Sequence, residues 1–345
     1  MRNDQEPFAA KGAPGERALI QRIRSLTGRK SFAGLALGIG DDCALLVPKP
    51  GEQIAITTDL SIAGRHFKLE WHPPEVVGYR TLARGLSDLA AMGARPLAAF
   101  LSLGLPCDLT KRKGRRKAWI DGFFEGLLAL AEEHKTPLAG GDLAEAPTAT
   151  ADIVLVGAVP RGRALLRSGA RAGDLLYVTG ALGGAAAGLA ELGKLAAGSG
   201  GKAGPLHVPK QYRELLVAHF HPQPRIAQGL WLQRRGLASA AIDLSDGLST
   251  DLTHLCEESG VAAEIDAGAV PVYRGATFEQ ALHGGEDYEL LFAAPAKARI
   301  PREIAGVAVT RIGRLLRRRS GRAPITLVSD RGNQPLEPQG WQYFS

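Results

Sequence analysis

At 345 residues, 45% hydrophobic and 22% charged, the chain can fill two domain-sized cores, which excludes a collagenous, disordered or disulfide-scaffold polypeptide. Its formal charge of +7 is concentrated in Lys111–Lys117 (KRKGRRK) and Arg317–Arg322 (RRRSGR). No nucleic-acid motif accompanies either run, so they are read as a solvated helix start and a loop, and nucleic acid is not an expected partner. Cys43, Cys107 and Cys256 are too few and too far apart for a disulfide or zinc framework. No segment reaches the roughly 20 apolar residues of a membrane span, and no signal-peptide core opens the chain. A reducing cytoplasm is the expected compartment.

In chain order, residues 1–14 read as a loose polar arm, and apolar spacing predicts a helix over Glu16–Leu26. Strand-like runs follow around Leu35–Val47 and Gln53–Ile62, with Cys43 read as a buried strand residue. Pro73 and Pro74 suit the start, and Gly93 the end, of a long helix reaching Met92. A buried strand is predicted over Pro96–Leu105, a helix over Gly114–His134 and a strand over Ile153–Val159. Beyond Gly162 the pattern restarts with a strand at Asp174–Thr179, a small-residue helix at Gly183–Leu192 and a mobile loop at Lys194–Leu206. Helices at Gln211–His219 and Arg225–Arg235 precede a strand at Ala240–Asp243 and a helix at Leu248–Ser259. Strands near Ala263–Asp266, Glu289–Ala293, Val307–Leu315 and Ile325–Ser329 complete the chain. Without a regular βαβ rhythm, the expected class is α+β, a mixed α/β fold in two lobes divided near residue 161.

Acidic residues recur beside small residues where strands and helices meet. They are Gly40-Asp41-Asp42, Thr57-Thr58-Asp59, Ser87-Asp88, Gly140-Gly141-Asp142, Asp243-Leu244-Ser245-Asp246-Gly247 and Gly284-Gly285-Glu286-Asp287. Each alone is explained equally by a helix cap or a turn. Six together are electrostatically costly unless cations neutralise them. Hard oxygen ligands suit Mg²⁺, which borrows one or two carboxylates and completes its shell with water and phosphate. No histidine–cysteine cluster favours zinc, and there is no Walker lysine loop and no HRD or DFG set. Any ATP phosphates must therefore be held through metals. The glycine-rich run Val178–Ala185 could cradle a phosphate at a helix N-terminus or allow close helix–sheet packing.

The strings GIGDDCALL (Gly38–Leu46), TTD…GRHF (Thr57–Phe67), LSDLAAMGA (Leu86–Ala94), GGD (Gly140–Asp142), GRALLRSGA (Gly162–Ala170), IDLSDGLSTDL (Ile242–Leu252) and GGEDYEL (Gly284–Leu290) resemble, in order, the thiamine-monophosphate kinase family. That family belongs to the superfamily of aminoimidazole ribonucleotide synthetase. The resemblance implies a two-lobed fold of that superfamily, with residues 15–160 binding ATP and Mg²⁺ and dimerising through their sheet, and residues 161–345 completing the site. It implies a homodimer and ATP-dependent phosphorylation of thiamine monophosphate.

Carried over by motif, several Mg²⁺ ions would be held by Asp42, Thr57, Thr58, Asp59, Asp88, Asp142, Asp243 and Asp246. ATP would meet Gly141, Asp142, Arg167 and Ser245, and the acceptor His66, Glu286 and Trp341. Departures from the family pattern are Leu60 after Asp59, Gly85 before Leu86, and Leu143 after Asp142. Each removes a polar side chain beside the carboxylates. An acceptor phosphate is already anionic, so no covalent intermediate and no strong base are expected. The competing readings are another ATP-using synthetase of the superfamily and a non-catalytic nucleotide or nucleic-acid binder.

Overall fold

The computed structural model describes residues 15–27, 32–112, 114, 117–198, 213–320 and 324–341. The predicted arm at 1–14, the latter part of the predicted loop at 194–206 and parts of both basic runs lie outside the described residues. Internal contacts define two units: Met1–Val47, Thr58–Leu82 and Leu97–Val154 in one, and Pro48–Thr57, Ala83–Pro96 and Leu155–Ser345 in the other.

The elements before residue 161 are α1 (Glu16–Thr27), β1 (Leu35–Leu37), β2 (Leu45–Leu46), β3 (Glu52–Ile62), α2 (Pro74–Ala91), β4 (Arg95–Leu105), α3 (Trp119–Glu133), β5 (Leu138–Glu145) and β6 (Thr150–Pro160). A four-stranded sheet runs in the order β3-β6-β4-β5, with β5 parallel to β4. The edge strand β3 alternates strictly: Ile54, Ile56, Thr58 and Leu60 are exposed, while Thr57, Asp59 and Ser61 turn to the other face. Helix α2 begins where the prolines permit and ends at Gly93, whose φ of 62° lets Ala94 N–H reach back to Leu89 O.

In the first unit, two glycines let α2 and α3 touch backbone to backbone. A Cβ at Gly78 would strike Phe123 O, and one at Gly126 would strike Glu75 O. Helix α3 starts at Trp119, later than Gly114, because Asp121 reaches back to cap the Ala118 N–H at 3.1 Å. Lys117 stands ahead of that start, paired with Glu75 at 2.7 Å and with Glu125. The described end of this basic run is thus charge-compensated.

The remaining elements are β7 (Leu175–Thr179), α4 (Gly184–Gly198), α5 (Arg213–Phe220), α6 (Ile226–Arg235), β8 (Ala240–Asp243), α7 (Leu248–Ser259), β9 (Val261–Asp266), α8 (Phe278–His283), β10 (Leu290–Ala294), β11 (Glu303–Ile304), β12 (Val307–Arg317), β13 (Ile325–Ser329) and β14 (Gly332–Pro335). Their sheet has the order β14-β13-β9-β12-β7-β10-β8, with β11 on β12. Leu176, Val178, Ile242, Leu252, Leu255, Ile265, Leu291 and Ile312 fill its core beneath α7. The mixture of parallel and antiparallel pairs, such as β13 with β9 and β10 with β7, is the expected mixed α/β class.

Some local expectations change. Helix α4 continues to Gly198, so residues 194–198 are helical; the Ala-rich stretch favours helix over loop. Gly140–Asp142 lies inside β5, and Thr57–Asp59 inside β3, so neither acidic group marks a strand end. Cys43 is exposed at a bend between β1 and β2, which form only a two-residue-deep ribbon. No described helix is long and apolar enough to cross a membrane.

Candidate active site

Helix α2 supplies the organising face in the second unit. Arg84, Ser87 and Asp88 are spaced i, i+3 and i+4, so their side chains lie on one side of the helix. Ser87 Oγ donates to Asp243 Oδ2 at 2.7 Å, and Thr57 Oγ1 donates to Asp88 Oδ2. Arg84 Nε donates to Tyr288 Oη at 3.1 Å. Three points of the chain far apart in sequence are thereby fixed to one helical turn.

Asp243 ends β8, and the following turn carries Ser245 and Asp246 into α7. Gly247, with φ of 113°, could not accept a Cβ because His283 and Gly284 backbone atoms occupy that space. The N–H groups of Asp246 and Gly247 both donate to Asp251 Oδ2 at 3.0 Å, locking the turn from within the helix. Opposite it, Glu286 N–H donates to Ser245 O at 2.8 Å and Tyr288 N–H to Leu244 O at 2.9 Å. Glu286 and Tyr288 hold φ values of 68° and 51°, each costing about 1 kcal/mol or more in backbone strain. Such strain is retained where surroundings over-determine the geometry.

Electrostatically the site is crowded. Burial pushes the Asp88 carboxyl up, opposed by the Thr57 hydrogen bond and the Arg167 and Arg84 charges. Burial also raises Asp246, with His254, Arg84 and Arg167 pulling it down and Glu286 adding repulsion. Asp251 is raised well above the usual carboxylate range by burial and by the Asp243 and Asp246 charges. Arg167 sits in an exposed turn whose carbonyl accepts from Ser259 Oγ at 2.6 Å. Its charge therefore reaches both Asp88 and Asp246 from an anchored backbone.

The C-terminal segment passes over this turn. Gly340 N–H donates to Thr250 Oγ1 at 3.0 Å, and a Cβ there would collide with Asp246 O. Trp341, the next residue, is 53% exposed rather than buried as a core anchor. Its indole is open to solvent, one residue beyond the Gly340 contact with the turn.

In the first unit, Asp142 and Asp42 are exposed, and Asp142 Oδ1 accepts from Leu143 N–H at 2.9 Å. Gly141, at φ 151°, lies so close to Leu101 O that only glycine fits. The loop before Asp42 runs beside β5, where a Cβ at Gly38 would meet Ala139 O at 3.9 Å. His66 is half-buried, and its Nδ1 accepts from Ile62 N–H at 2.9 Å, which puts the ring proton on Nε2. Thr58 faces away from Thr57 and Asp59 on β3, so its hydroxyl cannot join theirs on one face.

The donor set suits a hard cation, being dominated by carboxylate and hydroxyl oxygen. Among the described residues no three His, Cys, Asp or Glu converge as a ready-made chelate. Mg²⁺ does not require one, because water and substrate phosphates complete its octahedron.

The glycine-rich run is settled differently. Asp287 accepts from Gly183 N–H at 2.6 Å and Ala185 N–H at 3.0 Å, so the chain's own carboxylate caps α4. Burial lifts that carboxyl to about 7 even against these bonds. The glycines serve close packing: a Cβ at Gly184 would meet Tyr273 at 2.8 Å.

Ser87, Arg84, Asp251 and Tyr288 escape a reading of sequence alone. Asp251 left a signal, an acid in the first turn of a helix after Asp246-Gly247. The departures also find places. Gly85 packs where a Cβ would meet Leu155 Cδ1 at 2.7 Å, and Leu60 joins the exposed stripe of β3.

The profile "AIR synthase related protein, N-terminal domain" matches residues 40–160, and "AIR synthase related protein, C-terminal domain" matches residues 171–325. The chain is 38% identical over 347 residues to the thiamine-monophosphate kinase of Salmonella typhimurium, covering 96% of this chain and 99% of that one. The crystal structure of thiamine-monophosphate kinase from Stenotrophomonas maltophilia K279a superposes with a TM-score of 0.75 at 37% identity, covering 91% of this chain and 97% of that one. The complex of AaThiL with AMPPCP and TMP gives a TM-score of 0.71 at 29% identity, covering 96% and 97%. By profile, by near full-length identity and by fold, the chain belongs to the thiamine-monophosphate kinase family.

Proposed function

We propose that the chain transfers the γ-phosphoryl group of ATP to the phosphate of thiamine monophosphate, giving ADP and thiamine diphosphate. The observation that carries this is the single α2 turn that fixes Asp88, Asp243 and the Glu286–Tyr288 turn around Asp246. The relative solved with AMPPCP and TMP binds a nucleotide and an acceptor of the same kinds.

An acceptor phosphate oxygen attacks the γ-phosphorus in line; the new O–P bond forms as the bond to the β-phosphate oxygen breaks. The acceptor oxygen is already anionic, so positioning and charge neutralisation carry the rate. Mg²⁺, held by Asp42, Asp59 and Asp142 with the backbone carbonyl of Thr58, whose side chain faces away, and by Asp88, Asp243 and Asp246 with Thr57, would neutralise phosphate charge. Thr57 and Ser87 orient Asp88 and Asp243, and Asp251 holds the Asp246 turn still. Arg167 offers a permanent charge to ATP, beside Ser245; Gly141 and Asp142 are the other proposed ATP contacts. His66, Glu286 and Trp341 are proposed to bind the acceptor.

By chain segment, residues 15–160 are proposed to bind ATP and Mg²⁺ and to dimerise, and residues 161–345 to complete the active site. The cell's cytoplasm would keep the three free thiols reduced. The homodimer is supported by β3, an edge strand with Ile54, Ile56 and Leu60 exposed at 41%, 66% and 46%. Sedimentation equilibrium should give twice the 36.4 kDa chain mass; a single-chain mass across micromolar concentrations contradicts the dimer.

ADP release tests the reaction. It should require thiamine monophosphate and fail with unphosphorylated thiamine or aminoimidazole-pathway substrates. A response confined to a non-thiamine acceptor overturns the assignment.

A further inference from the structure

Arg84 lies on the same face of α2 as Ser87 and Asp88 and reaches the strained turn. Its Nε donates to Tyr288 Oη at 3.1 Å, and its Nη2 lies 3.8 Å from Glu286 Oε1. Tyr288 is 2% exposed, and a buried phenol hydroxyl is costly without a partner. From the other side, His219 Nδ1 stands 4.0 Å from Glu286 Oε2. The Glu286 carboxylate is thus bracketed by a guanidinium and an imidazole. Both residues of the turn with positive φ are addressed by one planar cation.

We infer that Arg84 is a positioning residue for the acceptor: by gripping Tyr288 and Glu286 together, it fixes where the acceptor-binding carboxylate of Glu286 stands over the Asp246 turn. The inference rests on the reading of Glu286 as an acceptor contact. A rigid guanidinium fork can bridge a phenol and a carboxylate at once, whereas the point charge of lysine cannot hold both directions. The side-chain contacts of Arg84 to Tyr288 and Glu286 run toward the acceptor contact, while its charge also reaches Asp88 and Asp246, so the larger effect should fall on the acceptor.

The test compares full-length wild type, Arg84→Met, Arg84→Lys, Tyr288→Phe and the Arg84→Met/Tyr288→Phe double variant. ADP release is measured while thiamine monophosphate and ATP are varied in turn, and melting temperature is recorded for each. Arg84→Met should raise KM for the acceptor about tenfold or more and KM for ATP by clearly less, the scale of effect expected from small misplacement of a binding group. Tyr288→Phe should raise acceptor KM in the same direction. The double variant should be no more than about twofold worse than Arg84→Met, because the two act as one unit. Arg84→Lys should not restore the wild-type value. An unchanged acceptor KM in Arg84→Met overturns the inference, as do parallel rises for both substrates that follow the melting temperature. If Arg84→Met does not fold, an unchanged acceptor KM in Tyr288→Phe does so instead. A wild type active only with another phosphomonoester overturns the thiamine reading, and the same comparison with that acceptor still decides the role of Arg84.

Discussion

Asp246→Asn should lower kcat/KM by about a hundredfold or more while leaving the melting temperature unchanged or slightly raised. The carboxylate is half-buried, and its ionised form is opposed by burial and by Glu286. Asn keeps its shape and removes its charge. The backbone of the turn is held independently, by Asp251 on the Asp246 and Gly247 N–H groups. The fold therefore loses nothing, while a preorganised charge at the phosphates is gone, the kind of loss that costs about 10²–10³ in rate. ADP release and thermal unfolding on the same preparation measure both halves. Full activity would remove Asp246 from the proposed machinery; a collapse in stability would make it a structural residue.

Arg225→Met should destabilise the protein by about 3–5 kcal/mol, the cost of leaving a buried carboxylate without its ion-pair partner. Glu289 is 4% exposed and accepts from Arg225 Nε at 2.6 Å, from Arg225 Nη2, and from Thr179 Oγ1 at 2.6 Å. Thr179 Oγ1 in turn accepts from Leu290 N–H at 2.8 Å, tying the network to β10. Gly180 sits so close to this carboxylate that a Cβ would overlap it. Urea unfolding reads the loss, and the double variant Arg225→Met/Glu289→Gln should regain much of it, since no charge is then stranded. A loss under about 1 kcal/mol in Arg225→Met would contradict the burial argument.

Local chemistry made much of the fold legible. Pro74 and Gly93 bound α2 because prolines suit a first turn and glycine a left-handed end. A strand-like run marked β3, and Asp243 ends β8 with Asp246 in the turn that follows, where the acidic motif stood in the sequence. Helix α8 was missed although Thr277 and Gln280 form a reciprocal capping box, because six residues carry too little periodicity to register. Strand β5 was missed because Leu138-Ala139-Gly140-Gly141-Asp142 lacks the branched residues that mark strands; its neighbour β4 imposes the conformation. Within the site, the carboxylates were visible as residue types. What orients them was not: Ser87 meets Asp243 across 156 positions and Arg84 meets Tyr288 across 204. No local pattern encodes such pairs.

Among the described residues, four non-glycine residues hold positive φ: Lys135, Glu286, Tyr288 and Ala305. For protein engineering they fall into two kinds. Lys135 follows α3 and Ala305 follows β11, outside the Glu286–Tyr288 turn in sequence, so relaxing them to glycine is an inexpensive route to a hardier protein. Glu286 and Tyr288 are where such a gain would be counterproductive. A stabilisation screen scoring backbone comfort alone would favour changing all four, and would select variants that outlast the natural protein at the expense of the proposed acceptor site.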